Sequence, residues 1–258
     1  MATRITFLGT AGEHAVVYKH ERSAGGILLE TEEQFLLLDP GPGTLVQGGK
    51  IRFNFRENTA VFLSSQRVEQ CSDANAIIDA MSVGGLDRRG VLLADLREGK
   101  ESPILEKYRQ YVERIVNLEP GKRIGIENIE MTIHPTVEST SLGVMFFTKD
   151  GIVAYPGNTS YTEEIGNAYK SADVLILNVF NPRGVETRGY MNTENAIQIV
   201  ALVRPKVVLI THFGLKMIKA EPLYEAREIQ RITGIQTIAA KEGLSLALTP
   251  YASSPIIK

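Results

Sequence analysis

The sequence predicts an α/β fold in which β-sheets are covered by helices on their outer faces. Short apolar runs bounded by Gly and Pro fill the first third of the chain, and apolar runs alternate with helical patterns in the last third. Strands that come first and then alternate with helices are typical of such layered folds. Because 258 residues is about the upper size for one hydrophobic core, we expect a single domain over residues 1–258.

Composition and charge exclude several classes of protein. A formal net charge of -2 and a pI near 6.1 leave no basic surplus for a nucleic-acid backbone, so we expect no nucleic-acid partner. The single cysteine, Cys71, excludes an internal disulfide and a Cys-x-x-Cys metal site, and we interpret it as a packing residue. No apolar run approaches the length of a membrane span, and residues 1–9 do not resemble a leader. We therefore expect a cytoplasmic protein without a membrane partner.

The first half of the chain is predicted to contain five strands and two helices. Ser72 or Asp73 is a suitable N-cap for the first helix, and Pro120 with Gly121 ends the second. The predicted strands are Ile5–Leu8, Gly26–Glu30, Phe35–Asp39, Ala60–Leu63 and a strand around Leu92, and the predicted helices are Ser72–Met81 and Pro103–Leu118.

The second half begins with β-structure and then alternates between strands and helices. Lys149-Asp150-Gly151 lies between two apolar runs and predicts a hairpin turn. The predicted strands are Ile124–Pro135, Val144–Thr148, Ile152–Tyr155, Val174–Val179, Lys206–Thr211 and Thr237–Ala240, and the predicted helices are Thr162–Lys170, Thr193–Val203 and Pro222–Thr233.

Four predicted strands end in polar or glycine-rich turns. Asp39 lies in "LLLDPGPG", residues 65–70 follow the strand that ends at Leu63, Asn158 lies in "VAYPGNTSY", and His212 lies in "VVLITHFG". Functional groups gather beyond the carboxyl ends of strands in α/β proteins. We therefore expect these four turns to converge on one pocket.

Taken together and in this order, the segments resemble the metallo-β-lactamase-fold hydrolases, in particular a small archaeal-type branch. The segments that carry the resemblance are "FLGTAG", "LDPGPG", "CSDANAIIDAM", "ADVLILNV" and "LITHFG". It extends from about Ile5 to Leu248, which is nearly the whole chain. The resemblance implies a four-layer αββα sandwich whose site lies along one edge of the two sheets.

The same resemblance implies that most metal ligands have been replaced. Active members carry His-x-His-x-Asp-His directly after this strand, and these side chains hold two metal ions that generate hydroxide. In this chain Ser65 and Arg67 stand at the first two histidines. Glu69 stands at the aspartate and Gln70 at the last histidine.

Ligand positions outside this motif differ as well. The aspartate that bridges the two ions falls on Asn158, which is neutral and a poorer bridge between divalent cations. The third histidine of the first metal falls on Glu138 in the frame that we favour, and on His134 if the frame is shifted by four residues. Tyr190 stands where the resemblance implies another histidine.

His212 remains as a metal-ligand histidine, and Asp39 remains as the carboxylate that supports the site from behind the ligands. A guanidinium cannot ligate a metal ion, so Arg67 would place a fixed positive charge where a ligand should be. We hypothesise that Arg67 forms an ion-pair network with Glu69 and Glu138 that fills the former metal cavity. In the alternative, Arg67 points into solvent.

These replacements favour a catalytically inactive binding or partner protein that has no cofactor and forms a homo-oligomer or binds another protein. The alternative is a hydrolase of phosphodiester or ester bonds that uses one divalent metal ion (Mn, Fe or Zn) held by Glu69 and His212. We disfavour a catalytic triad of Ser65, His212 and Asp39, because nothing in the spacing marks Ser65 as a strained, exposed nucleophile.

Overall fold

The structure is a computed structural model that describes residues 2–97, 102–138 and 140–251. Contacts within the chain divide it into two compact units. Unit 1 consists mainly of residues 3–119 together with 241–246, and unit 2 consists mainly of residues 120–240. The expectation of a single domain over residues 1–258 stays a prediction.

Unit 1 is built on a mixed sheet. Its described strands are β1 (Arg4–Phe7), β2 (Ile27–Glu30), β3 (Phe35–Leu38), β4 (Ala60–Phe62), β5 (Val91–Ala94), β6 (Arg114–Asn117) and β15 (Ser245–Ala247). Their order across the sheet is β15-β1-β2-β3-β4-β5-β6. The strands β1, β2 and β3 pair antiparallel, whereas β3, β4, β5 and β6 run parallel. The carboxyl ends of β3 and β4 therefore lie side by side, which brings Asp39 close to the residues that follow β4.

The described helices of unit 1 are short, and most of them follow a strand end. They are α1 (His14–Tyr18), α2 (Thr44–Lys50), α3 (Val68–Cys71), α4 (Ala74–Ser82) and α5 (Glu106–Arg109), with a 3-10 turn at Phe55–Glu57. The predicted helix at Ser72–Met81 is confirmed as α4, whose buried Ile77, Ile78 and Met81 pack into the core of the unit.

The predicted helix at Pro103–Leu118 is wrong over most of its length. Only α5 is helical, and β6 follows it as an edge strand paired in parallel with β5. The apolar spacing that predicted a helix has another cause, because Tyr108 and Tyr111 pack against the core of unit 1. Sheet pairing with a distant segment has overridden the local periodicity.

Helix α2 was not predicted, and a residue far along the chain stabilises its first turn. The Asp73 carboxylate accepts hydrogen bonds from the backbone N–H groups of Gly43 (3.1 Å) and Leu45 (3.0 Å). Burial raises the pKa of Asp73, and these backbone donors oppose that shift. A cap supplied from 28 residues away leaves no local pattern in the sequence.

Unit 2 contains a second sheet and the longest helices. Its described strands are β7 (Arg123–Ile126), β8 (Ile129–Pro135), β9 (Leu142–Thr148), β10 (Gly151–Tyr155), β11 (Val174–Asn181), β12 (Met191–Asn192), β13 (Val207–Thr211) and β14 (Gln236–Ala239). Its described helices are α6 (Glu163–Ala168), α7 (Thr193–Val203), α8 (Leu215–Lys219) and α9 (Pro222–Thr233). The strand order is β14-β13-β11-β10-β9-β8-β7, and β12 pairs with β11.

The strand directions in unit 2 determine where its polar turns lie. Strands β7 to β10 form antiparallel pairs, and the hairpin predicted at Lys149-Asp150-Gly151 is confirmed by the pairing of β9 with β10. Strands β10, β11, β13 and β14 run parallel, so the carboxyl ends of β10, β11 and β13 meet at one edge. None of the helices in the described ranges combines the length and the apolar character needed to cross a membrane.

Candidate functional site

The strand-end cluster of unit 1 centres on the carboxylate of Asp39, which is buried directly after β3. One carboxylate oxygen accepts a hydrogen bond from the backbone N–H of Ser64 (2.7 Å). The other accepts from the Ser64 hydroxyl (2.6 Å) and from the side-chain amide of Gln70 (3.0 Å). N–H and O–H donors of this kind stabilise an ionised carboxylate. The sequence predicts Asp39 and Gln70 as site residues, but not Ser64.

The loop after β4 uses its polar groups to shape a turn. The Ser65 hydroxyl accepts a hydrogen bond from the backbone N–H of Arg67 (3.1 Å). The side-chain amide of Gln66 donates to the backbone carbonyl of Asp95 (3.1 Å). Helix α3 then begins at Val68, with both Arg67 and Glu69 half-buried. This local bonding gives Ser65 a structural role in the turn.

Two glycines allow the segments of this cluster to approach one another. A Cβ atom at Gly41 would lie 2.1 Å from the carbonyl oxygen of Glu69, so only glycine fits between the turn after β3 and helix α3. Gly25 has a φ of +63°, and a Cβ there would lie 2.3 Å from the backbone nitrogen of Gly41. The "LDPGPG" turn therefore ends strand β3 and also lets the neighbouring segments pack closely against it.

Cys71 lies at the end of α3 and is buried. Burial, together with the smaller effects of the charges of Asp39 and Glu69, raises the pKa of its thiol to about 12. A thiol with such a pKa stays protonated and is a weak nucleophile. The interpretation of Cys71 as a packing residue is consistent with this environment.

The first polar cluster of unit 2 is made of neutral groups. The side-chain amide of Asn178 donates hydrogen bonds to the carbonyl oxygen of the Asn158 side chain (2.7 Å) and to the Tyr155 hydroxyl (3.1 Å), and all three residues are buried. The side-chain oxygen of Asn158 is thus used to accept a hydrogen bond from another side-chain amide. Asn178 is not among the predicted site residues, although a polar residue inside the apolar run "VLILNVF" is a usable signal.

The second cluster of unit 2 is aromatic. His212 follows β13, is buried, and has a φ of +61°. The centre of its ring lies 6.5 Å from that of Phe180, and the Phe180 ring lies 4.4 Å from the ring of Tyr190 at an interplanar angle of 34°. The histidine that the sequence keeps therefore stands beside a pair of packed aromatic rings, one of them at a position where the resemblance implies a histidine.

Glu138 borders a cleft of about 500 Å³ that Tyr190 and Asn192 also line. Its carboxylate accepts a hydrogen bond from the Arg188 guanidinium at 3.1 Å, which forms an ion pair within unit 2. The network of Arg67 with Glu69 and Glu138 stays a prediction.

His134, the other candidate for the third histidine position, lies in strand β8. Its Nε2 shares a hydrogen bond with the Thr132 hydroxyl (2.8 Å), and its ring centre lies 5.0 Å from that of Tyr169. Burial lowers the pKa of His134. The choice between Glu138 and His134 for that position stays a prediction.

The residues present do not fit the two-metal centre that the fold family implies. Among the described residues, neither unit brings three or more His, Cys, Asp or Glu side chains together in a group that could hold a metal ion. Gln70 turns an amide N–H toward Asp39, and the oxygen of Asn158 accepts from Asn178. A guanidinium such as that of Arg67 has no lone pair for a metal ion.

Comparisons with known proteins agree on the family and the fold. A sequence model described as Beta-lactamase superfamily domain matches residues 35–213. The uncharacterised protein MJ1374 of Methanocaldococcus jannaschii is 26% identical over 257 residues, and the match covers 96% of each chain.

Two solved structures are similar over nearly their whole length. The metallo-beta-lactamase fold protein YhfI from Bacillus subtilis has a TM-score of 0.81 at 18% identity, with 95% of this chain and 99% of that chain covered. Zn²⁺-bound PqqB from Methylobacterium extorquens has a TM-score of 0.72 at 15% identity, with 94% and 99% covered. The predicted fold class, the αββα sandwich of the metallo-β-lactamase fold, is confirmed.

Proposed function

The chain belongs to the family described as Beta-lactamase superfamily domain, and we propose that this member binds a ligand or a protein partner and does not catalyse metal-dependent hydrolysis. Its relatives in the fold include metal-binding proteins such as Zn²⁺-bound PqqB. Activity resides in the site and is not inherited with the fold. The proposal therefore depends on what the strand-end residues of this chain can do.

The hydrogen bond from Gln70 to Asp39 carries the proposal. The amide nitrogen of Gln70 is engaged as a donor, so this side chain could offer a metal ion only a neutral amide oxygen, a poorer ligand than the imidazole nitrogen of an active member. This amide is buried and donates to both Asp39 (3.0 Å) and Ser64 (3.1 Å). A neutral amide thus stands where an active member presents an imidazole nitrogen to the metal ion.

The charges of the remaining positions support the same conclusion. Asn158 supplies a neutral amide in place of the bridging carboxylate, and its oxygen already accepts from Asn178 at 2.7 Å. The guanidinium of Arg67 adds a positive charge that repels divalent cations. We therefore propose that the protein holds no resident metal ion.

Metal content tests the proposal. The wild type and the His212→Ala variant are purified without chelator or affinity-metal resin and analysed by elemental mass spectrometry, with exposed His20 replaced by alanine as the matched control. We expect all three proteins to contain far less than one metal ion per chain. We also expect no hydrolysis of bis(p-nitrophenyl) phosphate when Mn²⁺ is added.

The opposite result would support the single-metal hydrolase of phosphodiester or ester bonds. Near-stoichiometric Mn, Fe or Zn in the wild type and in His20→Ala, lost in His212→Ala together with turnover, would refute the proposal. Light scattering on the same samples measures the mass of the particle. A mass above that of one chain would support a homo-oligomer as the binding partner.

A further inference from the structure

A separate cleft of about 660 Å³ lies in unit 1, outside the strand-end cluster. This volume falls within the usual range for small-molecule sites. The loop between β1 and β2, helix α2 and the loop before β15 form the cleft. Its walls combine an apolar surface with charged side chains, namely Val17, Tyr18 and Pro42 with Glu21, Arg22 and Lys50.

Hydrogen bonds between segments that are distant in the sequence hold several of the residues that line this cleft. The Glu242 carboxylate accepts from the Thr10 hydroxyl (3.1 Å), the backbone N–H of Ser23 (3.1 Å) and the Arg22 guanidinium (3.2 Å). The Gln47 amide from helix α2 donates to the Ser23 hydroxyl (2.6 Å). The position of the Arg22 guanidinium is therefore set before any ligand arrives, which reduces the entropy lost on binding.

The charges in the cleft are only partly compensated. Glu242 balances the charge of Arg22 but uses a single donor of a guanidinium that has five N–H groups. Within the described part of the chain, the side chains of Lys50 and Glu21 form neither a hydrogen bond nor an ion pair, with each other or with any other residue. One free ammonium and one free carboxylate thus border the same cleft beside an apolar wall.

We propose that this cleft binds a zwitterionic α-amino acid with an apolar side chain. The ligand carboxylate contacts Lys50 and the unused N–H groups of Arg22, and the ligand ammonium contacts Glu21. The ligand side chain packs against Val17 and Tyr18. A simple organic anion would leave Glu21 unmatched, and a simple amine would leave Lys50 unmatched, so charge complementarity favours the zwitterion. This inference does not depend on the proposed absence of metal.

Isothermal titration calorimetry with the full chain tests the ligand class. L-phenylalanine is the probe, and 3-phenylpropionate and phenethylamine are the comparison compounds that lack the ammonium and the carboxylate, respectively. Because exposed ion pairs contribute modestly, we expect each comparison compound to bind about twofold to fivefold more weakly than phenylalanine. Either comparison compound binding as tightly as phenylalanine would overturn the proposal, as would the absence of phenylalanine binding at millimolar concentration.

Variants of the charged groups locate the ligand. We expect Lys50→Ala and Glu21→Gln each to weaken phenylalanine binding about twofold to fivefold. The matched controls are Lys19→Ala and Glu33→Gln, which remove the same exposed charges outside the cleft and should leave binding unchanged. Cleft variants that bind like their controls would refute this location. A wild type that contains metal would refute the proposed function but would not change the expected phenylalanine binding of the cleft variants or of their controls.

Discussion

Replacing Gln70 with alanine removes one of the donors that hold the Asp39 carboxylate. Hydrogen bonds to charged groups contribute about 1.5–3 kcal/mol. Asp39 is only 3% exposed, so bulk water cannot easily replace the missing N–H. We expect the free energy of unfolding to fall by about 2–3 kcal/mol. For a protein of this size the melting temperature should then fall by about 5–10 °C.

Gln66→Ala is the matched control, because it removes the same type of side chain from the loop directly before helix α3, the helix that contains Gln70. Gln66 is only half-buried and donates to a neutral backbone carbonyl, that of Asp95, so its loss should cost about 0.5–1.5 kcal/mol. Urea denaturation followed by circular dichroism measures both variants. A Gln70→Ala variant as stable as Gln66→Ala would show that Asp39 does not depend on this donor.

Three further predictions concern backbone space, pH and thiol reactivity. Gly157 and Gly84 share a φ of +68°. At Gly157 an added Cβ would lie 2.6 Å from a backbone carbonyl oxygen, whereas at Gly84 it would meet no atom within 4 Å. In urea denaturation, alanine at Gly84 should therefore cost about 1–2 kcal/mol, and alanine at Gly157 about 1–3 kcal/mol more. Because burial lowers the pKa of His134, the unfolded chain binds a proton more readily than the folded one, and stability should fall as pH drops below about 6.5. Thermal melts across this pH range should show a smaller loss for His134→Gln than for the wild type. Cys71, whose pKa is raised to about 12, should react with a thiol reagent only when urea unfolds the protein, and fast labelling without urea would contradict its burial.

The sequence predicted those elements whose signal is local. The strand ends at Asp39 and His212 were found because an apolar run and a turn lie next to each other in the chain. The helix expected at Pro103–Leu118 was wrong because β6 depends on pairing with β5, and no local pattern encodes that pairing. Helix α2 was missed for a related reason, since its N-terminal cap is the distant Asp73.

The sequence predicted which residues lie at the candidate site better than it predicted their hydrogen-bond partners. Resemblance identified Gln70 and Asn158 as replaced ligands, but it could not say what their amides bond. Their partners, Ser64 and Asn178, became clear only once neighbouring strands brought them together. The pairing of Glu138 with Arg188 likewise joins two loops that lie 50 residues apart.

Asp39 and Gln70 are coupled through a hydrogen bond that gives the buried carboxylate one of its donors. Each donor lowers the cost of burying the carboxylate, so a residue at position 70 that offers an N–H or O–H group adds to the two hydrogen bonds from Ser64. Gln70 does so while also contacting Ser64. A histidine there could donate through one ring nitrogen and keep the other for a metal ion. Gln70→His alone should therefore preserve the Asp39 cluster without restoring a metal centre, because Arg67 and Asn158 would still oppose it.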